Sequence, residues 1–145
     1  MSGESALTPS LYSNAPQRSV VRATFDLAAD ELFALVSDHE GMPRWFSFLK
    51  RVVVDNTGSR VAGVCDVGSV RRCTGVGTGT IDERMVAWVP GEGFAYTAQS
   101  IAIPMTDHLA VMRVVDLGGG KTELVWSQHY RDRWFLTGLV SARAI

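Results

Sequence analysis

Cysteine and lysine are both scarce in this chain. Its 145 residues include two cysteines, Cys65 and Cys73, which form neither a CxxC pair nor a Cys/His ligand spacing. That argues against a disulfide-stapled secreted scaffold and against a thiolate metal centre, and it points to a reduced, cytoplasmic setting. Fourteen basic residues balance fifteen acidic ones to a net charge of -1, and they are scattered along the chain. Nucleic acid needs a massed basic surface, so it is not an expected partner. No apolar run approaches the roughly 20 residues that span a bilayer, and no charged, apolar, small-residue signal opens the chain. The three histidines, His39, His108 and His129, stand far apart without an HExxH-like spacing. The residues therefore call for no metal and no cofactor.

What is present is a chain long enough for one domain that buries roughly 70% of its unfolded surface. Residues 1–17 are rich in Ser, Pro and small side chains without sustained periodicity, and read as a flexible leader or a loosely docked arm before a single domain over 18–145. Arg18 to Asp26 alternates as a half-buried strand, with Val21, Ala23 and Phe25 on one side. Asp30 can cap a helix carrying Leu32, Phe33, Leu35 and Val36 on one stripe, closed by Asp38 to Gly41. A second short helical segment holds Met42, Trp45, Phe46 and Leu49, with Pro43 in its first turn. Val52, Val53 and Val54 then mark a strand, and 56–63 a loop.

From Asp66 onward only strands follow, at intervals too short for crossover helices, so they must form an antiparallel meander. The strands read as Val67 to Thr74, Thr80 to Val89, Phe94 to Ile103, His108 to Leu117 and Thr122 to Tyr130. Counting outward from the turn at 75–79 pairs Arg71 with Glu83, Ser69 with Met85 and Cys73 with Ile81. One face of this hairpin then carries Ser69, Arg71, Cys73, Ile81, Glu83, Met85 and Ala87. The other carries Val70, Arg72, Thr80, Asp82, Arg84 and Trp88, a mixed set suited to solvent. The alternation thus places one cation and one carboxylate on the apolar side, where charges need partners. A structural cross-strand salt bridge and a polar spot in a ligand cavity both fit. The same inner face continues through Tyr96, Ala98 and Ser100, then His108, Ala110, Met112 and Val114, then Leu124, Trp126, Gln128 and Tyr130. Phe135, Leu139, Ala142 and Ile145 share one stripe of a terminal amphipathic helix.

Several segments together carry a resemblance: ADELFALVSD and PRWF (29–38 and 43–46), VGSVRR (67–72), IDERMV (81–86), FAYTAQ (94–99), Pro104 and KTELVWSQHY (121–130). In this order the chain resembles the START-related polyketide cyclase/dehydrase and lipid-transport superfamily. The resemblance implies an α+β helix-grip fold, in which a curved antiparallel sheet of about seven strands, with two short helices, wraps a C-terminal helix and encloses a cavity. It also implies a hydrophobic or aromatic small-molecule ligand, such as a lipid, sterol or polyketide. Some cyclases of the superfamily use an arginine at the position that matches Arg71 to orient carbonyls. Val67 departs from the bulky aromatic that such cyclases carry, which weakens a polyketide assignment.

The leading expectation is a binding or carrier protein, monomeric or weakly dimeric, with Arg71 and Glu83 as the polar anchor. Trp45, Ser69, Met85, Tyr96, Ser100, His108, Met112, Trp126, Gln128 and Tyr130 complete the expected ligand wall. The alternative is a cyclase, aromatase or dehydratase in which Arg71 polarises a carbonyl and Tyr96 or Tyr130 shuttles protons. Glu83 could then serve as base only if burial outweighed the neighbouring arginine. Both tyrosines fit equally well as core residues with one satisfied hydrogen bond.

Overall fold

The structure is a computed structural model that describes residues 5–77, 79–99 and 105–132. Seven strands, β1 (Gln17–Phe25), β2 (Leu49–Asp55), β3 (Val70–Gly75), β4 (Gly79–Val89), β5 (Gly93–Gln99), β6 (Met105–Gly118) and β7 (Lys121–Asp132), form one antiparallel, curved sheet. Its order is β1-β7-β6-β5-β4-β3-β2, so the meander pairs neighbour with neighbour, and β1 closes on the last strand. Helix α1 (Ala29–Ser37) and a 3-10 turn (His39–Arg44) bridge the two edge strands. The terminal helix expected near the end of the chain falls, beyond Asp132, outside the described residues, as does Ser100. Arg131 and Asp132 themselves extend β7.

The helix boundaries differ from the sequence reading in two ways. Asp30 does not cap α1, whose N-cap is Ala28; it sits with Glu31 in the first turn, where their charge complements the helix dipole. The second helical segment starts earlier, at His39, because Asp38 accepts a hydrogen bond from the Gly41 N–H and so caps the 3-10 turn.

Leu32 and Val36 of α1 pack onto Met85, Phe94, Tyr96, Ala110, Met112 and Val114, which all project from one face of the sheet. Ala87, Ala95, Leu109 and Val111 project from the opposite face, where residues 5–16 lie over them and bury Leu7. The centre of the sheet is therefore covered on both sides.

The hairpin register follows the turn. Arg71 faces Glu83, Arg72 faces Asp82 and Cys73 faces Ile81, while Ser69 and Met85 are joined by backbone hydrogen bonding. Past Met85 the alternation fails. A bulge between Met85 and Ala87 inserts one unpaired residue, so Ala87 pairs with Ala95 and Trp88 with Phe94. This corrects two side-chain assignments: Ala87 joins the cluster under Leu7, and Trp88 turns inward to stack on Phe94 at 5.2 Å.

Candidate functional site

Two adjoining concavities open on the inner face, below the turn that carries Phe46 and Phe48. The larger, about 500 Å³, is walled by Phe46, Tyr96, His108, Trp126, Gln128 and Tyr130. The smaller, about 220 Å³, reaches down to Met42, Arg71 and Cys73. Glu83, Tyr96, Trp126 and Ile81 line both, so the strand alternation that aligned the hairpin places a carboxylate at their junction.

Arg71 is 1% exposed, and a buried guanidinium persists only if its charge and donors are answered. Its Nε–H donates to Glu83 Oε2 at 2.5 Å. Its Nη1 lies 2.9 Å from His39 Nδ1 and 3.2 Å from Met42 Sδ, while Tyr96 presents its ring face 4.1 Å from the guanidinium carbon. Burial alone would favour loss of the proton, but Glu83 opposite outweighs it, and the net shift is upward. Arg71 is a permanent cation.

His39 is the counterpart that sequence reading missed. Burial and the Arg71 charge lower its pKa to about 3, so the ring is neutral. An arginine can only donate, hence Nδ1 accepts and Nε2 carries the proton. That Nε2 is buried without a partner among the described residues, and the His39 ring meets the rings of Trp88 and Phe94 edge-on. A lone histidine in a short 3-10 turn offers no periodic signal, and only the third dimension brings it to Arg71.

A second network runs along the larger concavity. The Ala98 N–H donates to His108 Nδ1 at 2.9 Å, which leaves the proton on Nε2 to bond Gln128 Oε1 at 2.8 Å. Burial pulls the His108 pKa down, and both ring nitrogens are engaged, so this histidine orients Gln128 and is not placed to exchange protons. Trp126 Nε1–H donates to the Tyr96 hydroxyl at 3.1 Å. Burial, chiefly, raises the Tyr96 pKa, so the phenol keeps its proton. Burial likewise pushes the Cys73 thiol up to about 12, which removes it as a nucleophile near neutrality.

Over residues 16–144 the sequence matches the family described as polyketide cyclase/dehydrase and lipid transport. The chain belongs to that family. No curated protein matches it in sequence. Among solved structures, the Zhui aromatase/cyclase from Streptomyces sp. R1128 is 19% identical, with a TM-score of 0.65 over 80% of this chain and 68% of that one. Norcoclaurine synthase from Thalictrum flavum, solved with dopamine and hydroxybenzaldehyde, is 13% identical with the same TM-score, over 99% of this chain and 90% of that one. A Thermobifida fusca protein is 23% identical with a TM-score of 0.63, over 86% and 78% of the two chains. At these identities the likeness is one of fold.

Within this cyclase/dehydrase and lipid transport family member, seven of the residues expected on the ligand wall come together: Arg71, Glu83, Tyr96, His108, Trp126, Gln128 and Tyr130. Four others do not reach the concavities. Ser69 is spent structurally, donating to Asn56 Oδ1 and accepting from the Asp66 N–H. Met85 and Met112 lie beneath the wall in the packed core against α1. Trp45, 38% exposed, is turned away by the end of the 3-10 turn, and Phe46 takes its place. Phe48, Met105 and Val21 complete the apolar rim; a turn, a strand start and an edge strand gave no common pattern from which to group them. Among the described residues no cluster of His, Cys, Asp or Glu is arranged to hold a metal, and no helix is long and apolar enough to cross a membrane.

Proposed function

We propose that this protein binds or carries a hydrophobic small molecule, held against the inner face of the sheet with the Arg71–Glu83 pair as its polar anchor. One observation carries the reading: an aromatic-walled concavity of about 500 Å³ that shares Glu83 with the smaller concavity beside it, where Glu83 pairs with Arg71. Membership of a family that includes lipid transport supports it. A carrier needs apolar area and one or two orienting polar groups, and it needs no free base. The site fits that requirement, because His108 has both nitrogens occupied and Glu83 is bonded to Arg71.

The test is native mass spectrometry and fluorescence titration of the full chain with sterols, fatty acids and flavonoid-like aromatics. Saturable binding of at least one class is the expected result; failure of every class would refute the reading.

A cyclase or aromatase role is the second reading, favoured by the Tyr96 hydroxyl and the Arg71 guanidinium lining the same small concavity. There Arg71 would polarise a carbonyl and Tyr96 or Tyr130 would pass protons. Turnover of a polyketone by the wild type that is lost in both Arg71→Lys and Tyr96→Phe would establish it. Turnover surviving both changes would exclude that mechanism.

A further inference from the structure

Which charge the concavity offers to a ligand is decided by what the ion pair leaves uncovered. Arg71 is largely covered: Nε and Nη1 are engaged, the Tyr96 ring lies against the guanidinium and 1% of the residue is exposed, with Nη2 left without a hydrogen-bond partner among the described residues. Glu83 is not, since 16% of its side chain is exposed and it lines both concavities. Its two protein hydrogen bonds, from Arg71 Nε and from Cys73 Sγ, both fall on Oε2. Oε1 has no partner among the described residues and remains an acceptor facing the ligand space. Beside it, the Tyr96 oxygen accepts from Trp126 Nε1 and also meets the Gln128 side chain, whose Oε1 is bonded to His108; with the Gln128 amide N–H turned to the phenol oxygen, the Tyr96 O–H is left to donate. The pair of functions is one acceptor and one donor, with the cation behind them.

We infer that this site selects ligands whose polar head is uncharged and carries an O–H or N–H donor, such as a phenol or an alcohol, and that it rejects carboxylates. The inference rests on the ligand-binding reading above. A hydroxyl can donate to Glu83 Oε1 while accepting from Tyr96. A carboxylate can accept from Tyr96 but brings a second anion to Glu83 within aromatic walls that screen poorly, and Arg71 is already neutralised. Even though a buried arginine suggests an anion site, the exposed member of its pair reverses the preference.

Three naphthalene probes that differ only in one substituent, a hydroxyl, a methyl ether or a carboxylate, test this by titration of the full chain at neutral pH. The naphthol is expected to bind at least about tenfold more tightly than either of the others, the difference that a hydrogen bond to a charged acceptor supports. Naphthoate binding as tightly as the naphthol would overturn the preference, and so would equal binding of the ether. If none of the three binds, this inference falls, and the ligand-binding reading is decided separately by the sterol, fatty acid and flavonoid titrations. Glu83→Gln, which keeps an acceptor for Arg71, is expected to lose the discrimination against naphthoate, and undiminished discrimination would count against the proposal. Should that variant fail to fold, the wild-type series decides alone.

Discussion

An arginine with 1% of its surface in solvent keeps its charge only if its neighbours answer it, and for Arg71 those neighbours are Glu83, His39 and Tyr96. Glu83→Ala should therefore leave a buried cation without its counter-ion, at a cost of roughly 3 to 5 kcal/mol in urea denaturation, whereas replacing both members by apolar residues should cost far less. A single variant as stable as the wild type would show that the pair is not coupled. Cys73 gives a chemical test. With its thiol pushed up to about 12, it should resist alkylation by iodoacetamide at neutral pH, and rapid labelling in the folded protein would contradict its surroundings. This pair was legible in the sequence because strand alternation and a glycine turn suffice to align Arg71 with Glu83. His39 was not, because its part depends on a contact across 32 positions that no local pattern encodes.

Alternation is a property of ideal strands, and β4 departs from it at one residue. The bulge after Met85 exchanges the faces of Ala87 and Trp88, so a residue that sequence assigned to solvent joins an aromatic stack with Phe94, Phe33 and His39. Trp88→Ala should accordingly destabilise by roughly 3 kcal/mol, where a solvent-facing tryptophan would cost little. An unchanged denaturation midpoint would remove the bulge from the account. The turn that follows is equally constrained: Gly93 has φ +150°, and a Cβ there would run into the Met112 carbonyl. Gly93→Ala is expected to cost about 2 kcal/mol or more, read as a lowered thermal midpoint. The five-strand meander could be inferred from turn spacing, but the pairing of β1 with β7 could not, and a bulge carries no reliable mark in one sequence, since Val86 is as good a strand residue as its neighbours.

At the scale of the whole molecule, the histidines set the response to acid. His39 has its pKa lowered from 6.5 to about 3, and burial lowers those of His108 and His129 as well. Below about pH 6.5 the unfolded chain therefore binds protons that the folded chain resists, and His39 resists its own until near pH 3. The histidine contribution to stability falls as pH drops through that window and is constant above it. For His39 the slope approaches about 1.4 kcal/mol per pH unit. His39→Asn, which keeps an acceptor for Arg71, should show a smaller loss between about pH 7 and about pH 5 than the wild type does. Equal losses would mean that His39 is not held neutral. The meander and the α+β class were readable from periodicity, but the concavity was only partly so, since Phe48, Met105 and Val21 reach its rim from three unrelated elements.

The segment laid over the back of the sheet also bears on the order of events in folding. Leu7 packs onto Ala87, Ala95, Leu109 and Val111, all at least 80 positions further along the chain. Its binding surface exists only after β4, β5 and β6 have paired. Docking of this segment must be among the last steps, absent from the transition state. Leu7→Ala should then accelerate unfolding and leave the refolding rate nearly unchanged, so the segment acts as a latch on the lifetime of the fold.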